Sequence, residues 1–330
     1  MTNVAILGCG KIARSMALTL RMMRDQGEQV CLYAAAARDY ERAQAFAISE
    51  GFSKAYGSYE DMVRDPAVDL VYIATPHSHH AEHMKLCIEH GKAVLCEKAF
   101  TATAAQAREA LALAKEKNVL VAEAIWTRYM PSRRIIWEII CSGMLGDMRV
   151  LTANLHYPIE HIHRIREPQL AGGALLDVGV YPLNFACMFF GTDFSRIESS
   201  VQLLETGVDR QETFSFYYPD GRAAHMTAGV SCRSDRTCMI SGTKGYLTVD
   251  NVNNPRQITV YLESEDFAVP HNMPVPAQLT GYEYQVRACI RALEAGEIEC
   301  PEMPHSESLR VMEICDHLRM QWGVRYPFDK

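Results

Sequence analysis

The sequence predicts two domains of different fold class: a doubly wound parallel α/β sheet over residues 1–125, then an α+β domain with an open-faced, mainly antiparallel sheet over residues 126–330. Three observations lead to this prediction. The length of 330 residues suggests two domains at roughly 150 residues each. The first part of the chain alternates wholly apolar runs with helical patterns, and the second part contains runs in which apolar and polar residues alternate.

The first domain is predicted from apolar runs that are typical of strands buried on both faces, at residues 4–7, 30–37, 70–75, 93–96 and 119–122. Helical patterns lie between them, near residues 11–25, 40–50, 79–90 and 103–117. Alternation of this kind predicts a parallel sheet with right-handed crossovers and helices on both faces.

The second domain begins around a helical pattern near residues 131–143. Strands are then expected at residues 212–218, 222–231, 236–241, 246–250 and 257–262, with turn residues between them. Their alternation predicts an antiparallel meander with one face against a core and the other face free. Two helices, near residues 281–295 and 305–321, are expected to close the chain.

Composition and charge exclude several functional classes. Apolar residues make up 48% and charged residues 22%, as in ordinary globular proteins. The net charge is −7 and no run of like charge occurs, so neither a nucleic acid nor a membrane surface is an expected partner. The eleven cysteines include no Cys-x-x-Cys pair, which argues against a disulfide framework and a structural zinc site. With no signal-peptide pattern and no apolar run of about 18 residues, we expect a cytoplasmic protein.

The segment Gly8-Cys9-Gly10-Lys11-Ile12-Ala13 follows the first predicted strand and begins the first predicted helix. A Gly-x-Gly-x-x-Ala pattern at this place is typical of a dinucleotide-binding (Rossmann) domain. Gly8 permits a tight turn, Gly10 lets the backbone approach a pyrophosphate, and Ala13 lets helix and strand pack closely. The N–H groups at the helix start are then expected to bind the phosphates. A merely tight turn between strand and helix is the alternative.

The end of the second predicted strand bears on which dinucleotide is bound. Arg38 is placed to pair with a 2′-phosphate, which favours NADP. Asp39 is either the acid that holds the ribose hydroxyls in an NAD binder or the N-cap of the next helix. We favour the cap, and therefore NADP, with NAD as the alternative. Arg38 as an ordinary surface arginine also stays open.

Three further residues carry candidate chemistry. Lys98 follows the predicted strand at residues 93–96, at the end where ligands bind in parallel sheets, and an ammonium group there can polarise a carbonyl. Asp177 and Tyr181 follow a Gly-Gly pair in an apolar helical run and, at i and i+4, are expected on one helix face. The alternatives without function are a solvated Lys98, and a buried, satisfied Asp177 beside a packed Tyr181.

Taken in order, Gly-x-Gly-x-x-Ala, Glu97-Lys98 and Gly172-Gly173-Ala174-Leu175-Leu176-Asp177-Val178-Gly179-Val180-Tyr181 resemble the Gfo/Idh/MocA oxidoreductase family. Within that family, residues 37–39, 54–60, 123–128 and 205–209 are similar to the branch of dimeric dihydrodiol dehydrogenases and NADP-linked D-xylose dehydrogenases. The likeness covers nearly the whole chain.

The resemblance implies a Rossmann domain followed by a substrate-binding domain whose open-faced sheet forms a homodimer. It implies hydride transfer between the nicotinamide of NADP and a secondary alcohol or carbonyl of a sugar, cyclic polyol or trans-dihydrodiol. Tyr181 would exchange the hydroxyl proton, Lys98 would assist, and Asp177 would orient the substrate. The implied cofactor contacts are Gly8, Gly10, Lys11, Ile12, Arg38, Thr75, His80, Glu97 and Arg128.

One position departs from the family pattern. The family usually has Glu-Lys-Pro where this sequence has Glu97-Lys98-Ala99. Because cis peptide bonds are essentially a feature of proline, we expect the Lys98–Ala99 bond to be trans. The family motif then predicts the orientation of the Lys98 side chain less well than it does where proline follows the lysine.

Histidines at positions 77, 79, 80 and 83 resemble a metal cluster, but no carboxylate completes a ligand shell by spacing, and no metal is expected. Pocket lining with a helix start is the favoured interpretation. His77, Trp126 and His156 are candidate substrate contacts, with a core or interface tryptophan as the alternative for Trp126.

The sequence thus predicts an NADP-dependent dehydrogenase with a small-molecule substrate. Two other classes remain as alternatives: a binding protein that senses NAD(P) without turnover, and a glycosidase that uses bound nicotinamide in a redox-neutral cycle.

Overall fold

A computed structural model describes residues 1–263 and 269–329 and has two compact units. The first consists of Met1–Trp126 with Gln278–Met312, and the second of Thr127–Ala277 with Glu313–Lys330. The division at residues 125 and 126 into folding domains stays a prediction. By packing, residues 278–312, which the sequence assigns to the second domain, belong to the first unit.

The strands, in chain order, are β1 (Thr2–Leu7), β2 (Val30–Ala36), β3 (Lys54–Tyr56), β4 (Leu70–Ile73), β5 (Ala93–Glu97), β6 (Val121–Ala124), β7 (Met148–His156), β8 (Arg196–Leu203), β9 (Asp209–Tyr217), β10 (Ala223–Gly229), β11 (Cys238–Gly242), β12 (Gly245–Val249), β13 (Ile258–Leu262) and β14 (His271–Met273). The α-helices are α1 (Lys11–Asp25), α2 (Tyr40–Glu50), α3 (Tyr59–Arg64), α4 (His80–Glu89), α5 (Ala104–Lys117), α6 (Pro131–Cys141), α7 (His163–Arg166), α8 (Val180–Phe190), α9 (Glu283–Ala295) and α10 (His305–Trp322).

The first unit is built on a parallel sheet with the strand order β3-β2-β1-β4-β5-β6. β1 pairs with β2 on one side and with β4 on the other, so the order of the chain reverses beside β1. In sheets of this kind, ligands bind at that switch point, outside the carboxyl ends of the strands. Apolar residues of α1, among them Met16, Leu20 and Met23, are fully buried against the strands.

The strands and helices predicted for residues 1–125 are all present, with end points shifted by a few residues, and the predicted parallel α/β class is confirmed. The sequence does not predict β3 and α3. These elements have three and six residues, which is too short for a hydrophobic period to stand out.

The second unit is built on an eight-stranded sheet with the order β14-β13-β12-β11-β7-β10-β9-β8. The expected simple meander is wrong in one respect: β7 lies between β10 and β11, parallel to β10 and antiparallel to β11. β7 separates two strands that are consecutive in sequence, and the sequence does not predict β7 itself. The remaining pairs are antiparallel, as expected.

A buried helical segment packs against this sheet. It begins with a π-helical turn, Leu175–Gly179, and continues as α8, all of whose residues are buried. Phe185 of α8 and Phe214 and Phe216 of β9 belong to the core between helix and sheet. Among the described residues, the stretch Pro168–Phe190 is the one helical stretch long and apolar enough to cross a membrane. Its most apolar window of 18 residues has a mean hydropathy of 1.4 and is wholly buried in the protein, as core helices are.

Candidate active site

The turn between β1 and α1 has the geometry that a pyrophosphate requires. Gly8 has a φ of +100°, and a Cβ there would lie 3.0 Å from Thr75 Cγ2 and 3.1 Å from Ala74 O. Gly10 caps α1 without a side chain, so the helix offers its first N–H groups, beginning at Lys11, to a ligand. A cradle that a Cβ would fill, next to a helix start, fits the phosphates of a dinucleotide.

Asp39 at the end of β2 is the N-cap of α2. Its Oδ1 accepts hydrogen bonds from the N–H groups of Glu41 at 2.9 Å and of Arg42 at 3.3 Å. The predicted N-cap role of Asp39 is therefore confirmed. The choice of NADP over NAD stays a prediction.

Two arginines surround this cap. Arg38 is exposed and lines a cleft of about 650 Å³ together with Tyr59 and His83. Arg42 donates a hydrogen bond to the carbonyl oxygen of Cys9 at 3.2 Å, which places its guanidinium against the phosphate-binding turn. Burial raises the pKa of Tyr59, and the charges of Arg38 and Arg42 partly oppose this rise. The positive charge near the end of β2 comes from the two arginines, whereas the cleft itself is also lined by Glu60, Glu82 and Glu89.

His80 joins two of the segments that follow strands of the parallel sheet. The ring is fully buried, and its Nδ1 and Nε2 lie 2.8 Å from the carbonyl oxygens of Ala99 and Thr75. Burial lowers the pKa of His80 to about 4, and a neutral ring donates only one of these two contacts as a hydrogen bond. His80 thus connects the segments after β4 and β5 from within the protein.

The other histidines of this segment are also held by protein contacts. His77 is buried and packs edge-on against His80, with 5.7 Å between ring centroids. His83 Nδ1 lies 3.0 Å from Thr75 Oγ1, and its ring stacks on His79 at 5.8 Å. In the part of the chain that the structure describes, no group of three or more His, Cys, Asp or Glu side chains is arranged to hold a metal ion.

Lys98 follows directly on β5 and is half-buried. The preceding Glu97 is buried and accepts a hydrogen bond from Tyr72 OH of β4. The Lys98–Ala99 peptide bond is cis, so the expectation of a trans bond is wrong. A non-proline cis bond persists where its surroundings fix it, and here Ala99 is fully buried with its carbonyl oxygen against His80.

Trp126, at the end of the first unit, packs within that unit. Its ring stacks on Tyr282 with 4.3 Å between centroids and 19° between planes, and the residue is 6% exposed. This packing favours the alternative of a core tryptophan, and a contact with substrate stays a prediction.

Asp177 lies in the π-helical turn of the second unit and is 5% exposed. Its Oδ1 accepts a hydrogen bond from Arg164 Nη1 at 2.8 Å. Tyr181 is in the first turn of α8 and is 9% exposed. Because the turn before α8 is π-helical, the α-helical spacing that predicts Asp177 and Tyr181 on one face does not apply across it.

Arg128 and His156 have local partners in the second unit. Arg128 is 2% exposed and donates from Nε to Asn184 Oδ1 at 2.7 Å. His156 Nε2 lies 3.1 Å from Thr227 Oγ1, and its Nδ1 lies 3.5 Å from Cys232 Sγ. The roles of Arg128 with the cofactor and of His156 with the substrate stay predictions.

Two side chains of these sites are not singled out from the sequence. Arg42 has a local signal, because it lies in the first turn of α2, three residues after the N-cap Asp39 and four residues after Arg38. Arg164 has none, because it lies 13 residues from Asp177 in a segment without a regular pattern.

The chain matches two profiles of one protein family. Residues 2–125 match "Oxidoreductase family, NAD-binding Rossmann fold", and residues 134–248 match "GFO/IDH/MocA C-terminal domain". The sequence is 36% identical over 333 residues to the trans-1,2-dihydrobenzene-1,2-diol dehydrogenase of Bos taurus, and 98% of each chain is covered. The Homo sapiens protein of the same name is 36% identical over 332 residues with the same coverage. The chain belongs to the Gfo/Idh/MocA oxidoreductase family.

Among solved structures, this Gfo/Idh/MocA chain is similar to KijD10, a 3-ketoreductase from Actinomadura kijaniata in complex with NADP and TDP-benzene. The TM-score is 0.85 at 27% identity, and 97% of each chain is covered. Like these relatives, the chain is an oxidoreductase that binds NAD or NADP and acts on CH–OH groups.

Proposed function

We propose that this Gfo/Idh/MocA oxidoreductase uses NADP to transfer a hydride to or from the secondary alcohol carbon of a sugar, a cyclic polyol or a trans-dihydrodiol. The bovine and human relatives are named for a trans-dihydrodiol, and the ketoreductase structure contains NADP, which supports both parts of the proposal. The observation that carries it is a pair of proton-exchanging groups, Asp177 and Tyr181, on a buried and mostly apolar helical segment.

Oxidation of a secondary alcohol removes a hydride, with two electrons, from carbon and a proton from oxygen. When bound, the nicotinamide ring accepts that hydride. We assign Tyr181 to receive the proton at its phenolic oxygen and to return it in the reverse reaction. A phenol ordinarily has a pKa of about 10, so it needs a cation to act at neutral pH, and we assign that role to Lys98. Asp177, whose carboxylate is held by Arg164, orients the hydroxyl group.

The first test is Tyr181→Phe, assayed with NADP and a panel of trans-1,2-dihydrobenzene-1,2-diol, D-xylose and myo-inositol. We expect kcat to fall by about two orders of magnitude or more, because the ring keeps its packing and loses the exchangeable proton. Affinity for NADPH, measured by fluorescence titration, is expected to be unchanged.

Tyr218→Phe is the matched control, because Tyr218 is a buried tyrosine of the same unit whose hydroxyl donates to Gly191 O at 3.0 Å. Its kcat should equal that of the wild type. An enzyme that oxidises no alcohol of the panel with NADP and reduces no matching carbonyl with NADPH contradicts the proposal. Cleavage of a glycoside with no net change in NADPH would instead identify the redox-neutral glycosidase.

The preference for NADP rests on the positive charges of Arg38 and Arg42 near the end of β2, since one oxygen of Asp39 is engaged as a helix cap. We expect the wild type to bind NADPH at least about tenfold more tightly than NADH. Each of Arg38→Ala and Arg42→Ala should lower NADPH affinity by about tenfold, as one charge-assisted contact predicts. Affinity for NADH should change little. The exposed Arg24→Ala on α1 is the control, and a tenfold preference of the wild type for NADH would contradict this assignment.

We also propose that the chain forms a homodimer through the free face of the eight-stranded sheet. Along β12, Leu247 and Val249 are buried, and Tyr246 alternates with them on the opposite face, where it stacks on Tyr261 at 4.6 Å. We expect light scattering to give the mass of two chains, and Tyr246→Glu to shift the protein towards the monomer. A monomeric wild type at micromolar concentration contradicts the proposal.

A further inference from the structure

Two buried carboxyl side chains of β9, Asp209 and Glu212, lie against the π-helical turn. Asp209 is fully buried and Glu212 is 1% exposed. One oxygen of Asp209 accepts a hydrogen bond from the N–H group of Leu175 at 2.5 Å. Its other oxygen and both oxygens of Glu212 have no hydrogen-bond partner among residues 1–263 and 269–329. Burial raises the pKa of both groups, and the charge of Asp209 raises that of Glu212 further.

Both carboxyl groups occupy space that side chains on the turn would need. A Cβ at Gly173 would overlap Asp209 Oδ1, and a Cβ at Gly179 would lie 2.6 Å from Glu212 Oε1. Gly179 has a φ of −63°, so its backbone conformation suits alanine. A methyl group on Gly179 is excluded mainly by Glu212. The same Cβ position would also lie 3.1 Å from Leu175 Cδ1. The two glycines and the two carboxyl groups therefore fit one another in space.

The segment that leads into the turn is held by the C-terminal part of the chain as well. Tyr326 OH donates to the carbonyl oxygen of Gly172 at 2.6 Å. The guanidinium of Arg319 lies 4.3 Å from the centroid of the Tyr326 ring and forms ion pairs with Asp316 at 2.7 Å and Asp329 at 3.1 Å. Contacts from distant parts of the sequence thus fix the backbone just before Asp177.

From these contacts we propose that Asp209 and Glu212 are positioning residues. They hold the turn Leu175–Gly179 in its π-helical form and so set the direction in which Asp177 and Tyr181 project. The inference rests on the proposed function, because a fixed direction matters only if these two groups act on a substrate. Carboxyl groups without partners are costly to bury, whereas apolar side chains would fill the same space at no such cost. π-Helical turns are rare, and those that occur are frequently found at functional sites. A role at the site would therefore explain why the costly arrangement is kept.

The test compares Gly179→Ala, Glu212→Asp and the double variant in the full chain, with trans-1,2-dihydrobenzene-1,2-diol and NADP as the probes. The methyl group of Gly179→Ala pushes on Glu212, and we expect kcat to fall by about 30-fold, because small displacements of reacting groups are expensive. The KM for NADP and the affinity for NADPH should not change. Glu212→Asp is one methylene shorter, so the double variant is expected to recover about tenfold of the lost kcat.

Two further variants separate positioning from general destabilisation. Glu212→Ala is expected to lower kcat by about tenfold, and Glu212→Gln, which keeps the shape of the side chain, should recover most of that loss. The exposed Glu198→Gln on β8 is the matched control. A double variant no more active than Gly179→Ala overturns the inference. So does a parallel loss of kcat and NADPH affinity in every variant.

Hydrogen exchange of the backbone amides of residues 174–181 gives a readout that is independent of turnover. Faster exchange confined to this turn in Gly179→Ala, reversed in the double variant, supports the inference, and unchanged exchange overturns it. If the wild type does not oxidise the probe, the proposed function fails for that substrate class, and the exchange measurement still decides whether Glu212 holds the turn.

Discussion

Two carboxyl side chains, half-buried Asp65 of the first unit and buried Glu212 of the second, have opposite surroundings. In the first unit, Asp65 Oδ2 accepts hydrogen bonds from Tyr33 OH at 2.9 Å, Lys54 Nζ at 2.8 Å and Tyr56 OH at 2.6 Å. In the second unit, Glu212 meets no donor within the described part of the chain. The bond from Lys54, followed by that from Tyr56, lowers the pKa of Asp65, whereas burial raises that of Glu212. The supply of donors decides which of the two keeps its charge.

This difference gives the two regions opposite dependences on pH. The folded pKa of Asp65 lies below its unfolded value of about 4, so its contribution to stability is present above that value and is lost as the pH falls. The folded pKa of Glu212 lies above its unfolded value, so its contribution is present below about pH 4 and is lost as the pH rises towards the folded pKa. Acid is therefore expected to weaken the region around β3, and alkali the region around the π-helical turn.

The largest effect on the free energy of unfolding is expected from the buried ion pairs of Arg319 in the second unit. Arg319 is 3% exposed and is paired with Asp316 and Asp329. Arg319→Met leaves both carboxylates without this cation and removes a positive charge that favours ionised Asp209. We expect the free energy of unfolding to fall by about 3 kcal/mol, as for other broken buried ion pairs. Urea unfolding followed by circular dichroism measures this change.

Arg325→Met is the control for this substitution, because Arg325 is exposed and lies only a few residues further along the chain. Its stability should stay close to that of the wild type. Equal losses in the two variants would show that the ion pairs of Arg319 contribute nothing beyond the loss of a charge.

The contrast between the units also explains how far the sequence could predict the site. The phosphate-binding turn is predictable because Gly8, Gly10 and Ala13 are neighbours in the chain and each has a local conformational reason. The cap role of Asp39 is local in the same way. By contrast, no local pattern predicts the cis bond before Ala99, because cis bonds are essentially a feature of proline.

In the second unit the decisive contacts are long-range. The turn Leu175–Gly179 has an ordinary apolar helical pattern, and its π-helical form is accompanied by a hydrogen bond from Leu175 to Asp209, 34 residues away. The insertion of β7 between β10 and β11 is likewise a matter of pairing between distant segments. Sequence patterns therefore predict Asp177 and Tyr181 as candidate site residues but not the geometry that holds them.

A smaller effect is expected from Asp65→Asn, which keeps the shape of the side chain and removes its charge. Removal of the negative charge that strengthens three hydrogen bonds should lower the free energy of unfolding by about 2 kcal/mol at neutral pH. The difference from the wild type should shrink as the pH falls below about 4, because the wild type loses the contribution of the same charge there. Urea unfolding between pH 7 and pH 3 measures the trend, and hydrogen exchange in β3 locates it.

Glu212→Gln is the matched comparison of opposite sign. As the pH rises, Glu212 ionises in the unfolded wild type, which stabilises the unfolded state and lowers the stability of the fold. The glutamine of the variant cannot ionise. The free energy of unfolding of the variant, relative to that of the wild type, should therefore increase with pH. If the loss in free energy of unfolding of Asp65→Asn were the same at pH 7 and pH 3, the charge of Asp65 would not be what stabilises β3. If both variants followed pH in the same direction, the supply of donors would not be what distinguishes the two carboxyl groups.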